Sequence, residues 1–237
     1  MATPLTKQQR RDVLARAPLF AGLGDASLDQ LAETSNTRRL ARREELFHRG
    51  DPGRQVYIVV SGNLKVKTTS LDADDVVFGI ESSGDVIGEI ALFAECERTA
   101  TVEALDAALV LAVDRRDFLD VVRRQPEVAI SLLEVLARRV KHLSEFVEDT
   151  LFLNLPFRLA KQLERLSEAH GSPGRDGVKI ELRLTQEEWG DLVGATREAV
   201  NKQLKEWREQ GLIRFDAGFI TIREPERIRA LAAEESL

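Results

Sequence analysis

Between about residue 38 and residue 113 the chain alternates short apolar runs with clusters of turn-forming residues. The apolar runs are Val56–Val60, Leu64–Thr68, Val76–Ile80 and Ala108–Val113. The turn-forming clusters lie at 50–53, 61–63, 72–75 and 82–84. Runs of this length at this spacing predict short antiparallel strands, and therefore a β-barrel or jelly roll. A short amphipathic helix is predicted ahead of the strands, at 25–34.

The pattern changes at about Pro126, where apolar residues begin to recur at intervals of three and four positions. This stripe consists of Leu133, Leu136, Val140, Leu143 and Val147. A narrow apolar stripe flanked by charged residues predicts one long helix, to about Phe152, that pairs with a second copy of itself as a coiled coil. We therefore expect a homodimer. The alternative is a helix that packs only against its own domain.

Two short helices joined by a glycine-containing turn are predicted nearer the C-terminus, at 187–193 and 197–210. Thr185 and Glu188 have the spacing of a capping box at the start of the first helix. Thr196 can cap the second helix. This arrangement predicts a DNA-binding helix-turn-helix. Both threonines are included among the predicted DNA-binding residues.

A hairpin is predicted after the second short helix, because the apolar runs 212–215 and 219–222 flank a turn at 216–218. A hairpin in this place makes the module a winged helix. Upstream, Asn154 starts a further helix, and a glycine-rich loop is predicted at 171–177. The predicted fold class is α+β, with a β jelly-roll domain at 1–125, a dimerisation helix and hinge at 126–153, and a winged helix-turn-helix at 154–237.

The composition is that of an ordinary soluble globular protein, with 43% apolar and 31% charged residues among 237. No apolar run approaches the roughly 18 residues of a membrane-spanning helix. Residues 1–14 lack the apolar segment of a secretory signal. We therefore expect a cytoplasmic protein with no membrane partner.

Metal and thiol chemistry find little support in the sequence. His48, His142 and His170 lie far apart and lack metal-ligand spacing, so no metal site is predicted and a cupin-like metal enzyme is a remote alternative. Cys96 is the only cysteine, which excludes an internal disulfide, and a redox role for it stays open. The sequence also offers no nucleophile–base pair, so we expect no enzymatic activity and no catalytic residues.

The net charge of −6 argues against nucleic-acid binding, but the second helix of the helix-turn-helix has a local balance of +2 over 196–208. Arg197, Glu198 and either Asn201 or Lys202 share the face near its start, which reaches base edges in this geometry, and all four are included among the predicted DNA-binding residues. Arginine suits the O6/N7 edge of guanine, and glutamate can accept from cytosine N4. A charged helix in a protein-binding winged helix is the alternative.

The stretch from Gly88 to Ala100 combines the groups that a ribose-bearing phosphodiester requires. Gly88 allows the backbone to approach a ligand closely, and a helical turn after it would direct free N–H groups at an anion. Glu89 can accept a hydrogen bond from a ribose hydroxyl, while Arg98 and Thr99 can donate to phosphate oxygens. A surface turn with a solvated Glu89–Arg98 ion pair is the alternative.

These motifs resemble those of the CRP/FNR superfamily of transcription regulators, and in particular its cAMP receptor protein branch. A Gly-Glu pair followed by Arg is similar to the phosphate-binding cassette of cyclic-nucleotide-binding domains, although Glu97 stands where Pro is frequent. The strings at 47–53 and 137–140 are also similar to that family, as is the helix-turn-helix over 184–213. The resemblance covers about residues 15–225.

The resemblance implies an allosteric regulator in which a cyclic nucleotide, most simply cAMP, controls DNA binding. Its implied ligand-binding residues are Gly88, Glu89, Ile90, Ala91, Arg98, Thr99, Leu143 and Ser144. Arg197 and Glu198 match the pair that reads a palindromic TGTGA-like site, whereas Lys202 stands where Arg is usual. The implied partners are double-stranded DNA, the cyclic nucleotide, a second copy of the chain and RNA polymerase. No covalent cofactor is implied.

The identity of the nucleotide is open because of one residue. In the cAMP receptor branch a Thr-Ser pair on the long helix hydrogen-bonds adenine, and Leu143-Ser144 occupies that place. Leu143 cannot hydrogen-bond a base, which would cost about 0.5–1.5 kcal/mol and reduce the preference for adenine. A sensor of cGMP or of a cyclic dinucleotide, and a regulator that binds DNA without a ligand, are therefore alternatives.

Overall fold

The computed structural model describes residues 5–70 and 74–233. The chain forms two compact units. The first comprises the chain up to Thr68 together with Phe78–Lys141, and the second comprises Thr69–Val77 and the chain from His142 onward. The turn predicted at 72–75 lies partly outside the described residues. The domain boundaries expected from the sequence stay predictions.

Helices α1 (Lys7–Arg16) and α2 (Asp25–Thr34) precede the strands and are joined by a 3-10 turn at Pro18–Phe20. A capping box starts α1, in which Gln9 N donates to Thr6 Oγ1 at 3.2 Å and Thr6 N donates to Gln9 Oε1 at 2.9 Å. The amphipathic helix predicted at 25–34 is confirmed as α2.

The strands form the predicted jelly roll from two sheets. They are β1 (Asn36–Leu40), β2 (Glu45–Phe47), β3 (Gln55–Ser61), β4 (Leu64–Thr69), β5 (Asp75–Glu81), β6 (Val86–Ile87), β7 (Thr101–Ala104) and β8 (Ala108–Asp114). One sheet has the antiparallel order β1-β8-β3-β6. The other has the order β2-β7-β4-β5, and its β7 is antiparallel to β2 and β4. The apolar runs predicted as strands lie in β3, β4, β5 and β8, and the predicted fold class is confirmed.

Alternation along the strands divides the apolar side chains between two clusters. The interior of the jelly roll holds Leu40, Leu46, Val59, Leu64, Val102, Ala104 and Val110. On the opposite face of β3 and β8, Ile58 and Leu111 pack against side chains of α1, α2, α4 (Arg115–Arg124) and the start of α5 (Pro126–Phe152). Burial of this apolar surface, worth about 25 cal/mol per Å², holds the helices on the sheet. Between β6 and β7 lies the short helix α3 (Glu89–Phe93).

The second unit contains the predicted helix-turn-helix and wing. Its elements after α5 are α6 (Leu155–His170), β9 (Gly171–Gly174), β10 (Gly177–Ile180), α7 (Gln186–Val193), α8 (Arg197–Glu209), β11 (Ile213–Asp216), β12 (Phe219–Ile222) and α9 (Pro225–Ala233). They include an antiparallel sheet with the order β11-β12-β10-β9. The prediction of a loop at 171–177 is wrong in its first half, because Gly171–Gly174 pairs with β10 as strand β9.

Glycines determine two tight turns of this unit. Ala195 N donates to Gly190 O at 3.0 Å, and a Cβ at Gly190 would lie 2.5 Å from Ala195 O. Only glycine therefore allows α7 and α8 to meet this closely. In the wing, Ala217 and Gly218 both have positive φ, of 49° and 90°, which suits the twist of a two-residue hairpin turn.

Candidate functional site

The cassette, residues 88–100, begins with a close approach between Gly88 and Arg98. Gly88 lies at the N-cap of α3 with φ of +89°, a conformation that favours glycine. A Cβ on Gly88 would overlap the guanidinium of Arg98. Arg98 Nη1 donates to Gly88 O at 2.8 Å. The structure thus brings two of the predicted ligand residues into direct contact.

Arg98 is buried and held on several sides. Its Nη2 donates to Gln55 O at 2.6 Å, and its guanidinium carbon lies 4.2 Å from the centre of the Phe47 ring. Its backbone N donates to Asp51 O at 2.8 Å. Burial lowers the pKa of Arg98, although an arginine remains charged at neutral pH. Its Nε is buried, and no hydrogen-bond partner for it lies in the part of the chain that the structure describes.

Glu89, at the start of α3, is also buried, with 1% of its surface exposed. Its Oε1 accepts a short hydrogen bond from Arg139 Nη1. Its Oε2 is buried and has no hydrogen-bond partner within residues 5–70 and 74–233. An acceptor left without a donor in a protein interior costs about 1–3 kcal/mol, and more when it is charged. This oxygen is therefore suited to a hydroxyl donor supplied by a ligand.

Arg139 of α5 and Glu81 of β5 belong to this site although sequence reasoning missed both. Arg139 Nη2 donates to Val86 O at 2.6 Å and lies 3.0 Å from Glu81 Oε2. Burial opposes the charge of Arg139, but the attraction of Glu81 and Glu89 outweighs burial and raises its pKa. The Arg-Arg pair inside the string 137–140 was the available signal for Arg139.

The loop before β3 packs on the cassette and completes its frame. Gly50 N donates to Arg98 O at 2.8 Å. A Cβ on Gly53 would overlap the side chain of Ala91, which is buried. Ile90, by contrast, is 44% exposed, and Thr99 is exposed as well. The structure therefore places Ala91 in the frame of the site and leaves Ile90 and Thr99 on its surface.

The apolar stripe of α5 is mostly exposed. Leu133, Val140, Leu143 and Val147 have 64%, 63%, 41% and 55% of their surface accessible. Leu136 differs, because it packs against the core of the first unit. Further exposed apolar residues on the same helix are Ile130, Leu151 and Phe152. Ser144 is exposed too, and the ligand-binding roles of Leu143 and Ser144 stay predictions.

The helix-turn-helix has both of its predicted caps. Thr185 N donates to Glu188 Oε2 at 2.7 Å and Glu188 N donates to Thr185 Oγ1 at 3.1 Å, which is a complete capping box. Ala199 N donates to Thr196 Oγ1 at 3.2 Å at the start of α8. These caps fix the N-terminal turn of α8, where the base-reading residues are predicted.

The predicted base-reading residues Arg197, Glu198, Asn201 and Lys202 are all exposed on α8. Beside them lies a groove of about 410 Å³. It is lined by Arg183, Leu184, Thr185, Gln186, Glu187, Arg197, Phe215, Ala217 and Gly218. Gln186 Nε2 donates to Asn201 Oδ1 at 3.0 Å, and Arg183 Nε donates to Ala217 O at 3.1 Å. Sequence reasoning missed Arg183 and Gln186, which flank the cap Thr185.

Within residues 5–70 and 74–233, no group of three or more His, Cys, Asp or Glu side chains could hold a metal ion. In the same residues, no helix is long and apolar enough to cross a membrane. Cys96 is exposed.

Comparison with known families agrees with both parts of the chain. Residues 37–125 match the model of the cyclic nucleotide-binding domain, and residues 157–231 match the model of the Crp-like helix-turn-helix domain. The fold and the two sites thus define a DNA-binding transcription regulator with a cyclic-nucleotide-binding domain. Such regulators are not enzymes, as expected from the sequence.

The family follows from the relatives. The chain is 31% identical over 217 residues to a CRP-like cAMP-activated global transcriptional regulator of Mycobacterium tuberculosis. The matched region covers 92% of this chain and 97% of the relative. It is 29% identical to the cyclic AMP receptor protein of Thermus thermophilus, with 91% and 97% covered. The chain therefore belongs to the CRP/FNR superfamily.

Solved structures show the same fold. The c-di-GMP responsive global regulator CLP of Xanthomonas campestris has a TM-score of 0.74 at 22% identity, with 84% of this chain and 99% of CLP covered. FixK2 of Bradyrhizobium japonicum has a TM-score of 0.74 at 23% identity, with 85% and 99% covered.

Proposed function

We propose that this regulator is a homodimer controlled by a cyclic nucleotide, with cAMP as the first candidate. The observation that carries the proposal is a pair of buried polar atoms in the cassette, Glu89 Oε2 and Arg98 Nε, neither of which has a hydrogen-bond partner among the described residues. One accepts and the other donates, which fits a ribose hydroxyl and a phosphodiester oxygen. Two relatives that carry cAMP in their names support cAMP as the nucleotide.

A second candidate effector is cGMP or a cyclic dinucleotide. The observation that favours it is Leu143, whose partly exposed apolar side chain stands where a hydrogen bond to adenine is expected. Without that bond the site would discriminate less between adenine and guanine. The structural relative CLP, described as a c-di-GMP responsive global regulator, supports testing a cyclic dinucleotide.

The apolar stripe of α5 supports the homodimer, since several large apolar side chains on one helix are exposed to water in the single chain. A two-fold dimer would present two copies of α8 to successive major grooves, about 34 Å apart, and so read a palindrome. We propose a TGTGA-like half-site, read by Arg197 and Glu198. RNA polymerase is the proposed protein partner, and the cytoplasm is the proposed location.

Calorimetric titration with cAMP, cGMP and c-di-GMP, followed by titration with a TGTGA-type palindrome, tests the proposal. We expect micromolar binding of a cyclic mononucleotide that tightens DNA binding about tenfold. Glu89→Gln should weaken nucleotide binding, whereas Glu97→Gln, which removes the same charge from an exposed neighbour of Arg98, should not. Tight DNA binding without any nucleotide binding would leave the DNA-binding role intact and contradict the cassette assignment.

A further inference from the structure

Glu81 is a second carboxylate beside the cassette, at the end of β5. Its side chain is 16% exposed, and its Oε2 lies 3.0 Å from Arg139 Nη2. The other terminal nitrogen of Arg139 bonds to Glu89. One guanidinium therefore joins the buried carboxylate of Glu89 to the partly buried carboxylate of Glu81, and we call this group the Glu81–Arg139–Glu89 cluster. In the proposed nucleotide site Glu89 contacts the ligand directly, whereas Glu81 contacts Arg139.

The charges that face Glu81 come from three elements. Burial is the main influence and raises the pKa of Glu81 to about 7. Arg139, from α5, opposes this rise, whereas Asp85, from the turn before β6, and Glu89, from α3, add to it. Near neutral pH the carboxyl group of Glu81 is accordingly divided between its protonated and ionised forms.

We propose that Glu81 is a positioning residue of the nucleotide site, which holds Arg139 in place and makes nucleotide binding take up a proton. This inference rests on the proposed function, because it requires a cyclic nucleotide in the cassette. A long arginine side chain has many rotamers, and two carboxylates together with the carbonyl of Val86 select one of them. In that rotamer Arg139 occupies Glu89 Oε1 and leaves Glu89 Oε2 for the ligand.

Proton uptake follows from the charge of the ligand. A cyclic nucleotide brings a phosphodiester anion towards the cluster, which disfavours the ionised form of Glu81. If the anion attracts Arg139, Glu81 loses part of its counter-charge, and if the ligand excludes water, Glu81 loses solvation. All three effects raise the pKa of Glu81 further. Binding therefore draws a proton onto Glu81, and affinity falls as the pH rises through about 7.

The size of the effect depends on how far the ligand raises the pKa of Glu81. A rise of one unit corresponds to about a tenfold difference in affinity between the acid and alkaline limits. Histidine is the other residue type that commonly exchanges protons near neutral pH. One histidine, His48, lies in the loop that packs on the cassette, with its Nδ1 2.7 Å from Glu45 Oε2. The test must therefore separate Glu81 from His48.

The experiment is calorimetric titration of the full chain with cAMP and with cGMP between about pH 6 and about pH 8, in two buffers with different ionisation enthalpies. The dependence of the measured heat on the buffer gives the number of protons taken up. We expect uptake of a fraction of a proton near pH 7, and affinity several-fold to about tenfold weaker at the alkaline end. Glu81→Gln should remove the uptake and flatten the pH profile.

Two controls match this variant. Glu97→Gln removes the same charge from an exposed position next to Arg98. His48→Gln removes a histidine from the loop that packs on the cassette, and both variants should keep the proton uptake. A wild-type protein that binds nucleotide without proton uptake overturns the role of Glu81 and leaves the proposed function intact. So does uptake that disappears in His48→Gln and persists in Glu81→Gln. If neither nucleotide binds at any pH, both proposals fail together.

Discussion

The guanidinium carbon of Arg98 lies 4.2 Å from the centre of the Phe47 ring, so that β2 supports the cassette from one side. A cation over an aromatic face is stabilised by about 0.5–2 kcal/mol, more when it is shielded from water. Two backbone carbonyls, of Gly88 and Gln55, hold the same guanidinium at its edge. Arg98 is therefore placed before any ligand arrives, which reduces the ordering that binding requires.

Replacing Arg98 by Lys keeps the charge and removes the planar fork. An ammonium group cannot lie over Phe47 while donating to both carbonyls, and it contacts phosphate as a point charge. We expect Arg98→Lys to weaken cyclic-nucleotide binding by about 1.5–3 kcal/mol, which is tenfold to roughly a hundredfold. Arg123→Lys, at an exposed site of α4, should leave binding unchanged. Calorimetry of both variants measures their affinity for the cyclic nucleotide. If Arg98→Lys binds as tightly as the wild type, the proposed role of Arg98 is contradicted.

The Glu81 carboxyl group makes folding stability depend on pH. Its pKa rises from 4.5 to about 7 on folding, mainly through burial, so the folded state binds the proton more tightly than the unfolded state. This contribution to stability is complete below about pH 4.5 and is lost as the pH rises to about 7. Glutamine does not ionise, so the stability of Glu81→Gln does not fall in this pH range for this reason. Relative to the wild type, its free energy of unfolding should therefore increase by on the order of 2–3 kcal/mol between about pH 5 and about pH 8.

Urea unfolding of the full chain, followed by circular dichroism, measures this difference. Tryptophan fluorescence is unsuitable, because Trp189 and Trp207 both lie in the second unit and Glu81 lies in the first. Parallel pH profiles for the wild type and Glu81→Gln would show that Glu81 keeps its ordinary pKa in the folded protein.

Local sequence signals predicted the elements of the fold well. The spacing of Thr185 and Glu188 predicted a capping box, and both of its hydrogen bonds are present. Gly88 was predicted for its conformational freedom and has a positive φ. Strand β9 was missed because Gly171–Gly174 has the composition of a turn, and only its pairing with β10 makes it a strand.

The charged part of the site was less predictable, because it depends on contacts between distant positions. Arg139 lies on a helix whose visible sequence signal is the apolar stripe, and its contact with Glu89 spans fifty positions of the chain. Glu81 ends a strand, where a carboxylate usually faces water. Nothing in the local sequence indicates that these two partly buried side chains form an ion pair.

The exposed stripe of α5 predicts a dimer that a single charge should dissociate. Val140 is 63% exposed, so Val140→Glu should leave the isolated chain folded. In a two-fold dimer the substitution occurs twice, and each copy would lose about 1.5–3 kcal/mol of apolar burial. We expect dissociation to become at least about a hundredfold easier. Sedimentation equilibrium measures the dissociation constant of the dimer. The control is Arg138→Glu, which is exposed on another face of the helix. If both variants remain dimers, the interface lies elsewhere.

Lys202 of α8 should limit how well one base pair of the DNA site is discriminated. Its ammonium group is a single point donor, whereas arginine can donate to O6 and N7 of guanine together, which is worth about 1–3 kcal/mol against a wrong base. We therefore expect Lys202→Arg to raise the preference for guanine at one position of each half-site about fivefold or more, with little change at the other positions. Lys205→Arg makes the same change three residues later, where the side chain faces Glu209 at 3.9 Å, and should leave base preference unchanged.

Competition binding with single-base variants of the palindrome, at one fixed salt concentration, measures the base preference of both variants. A uniform increase in affinity for every variant would mean that Lys202 contacts phosphate, because a phosphate contact strengthens binding without distinguishing bases.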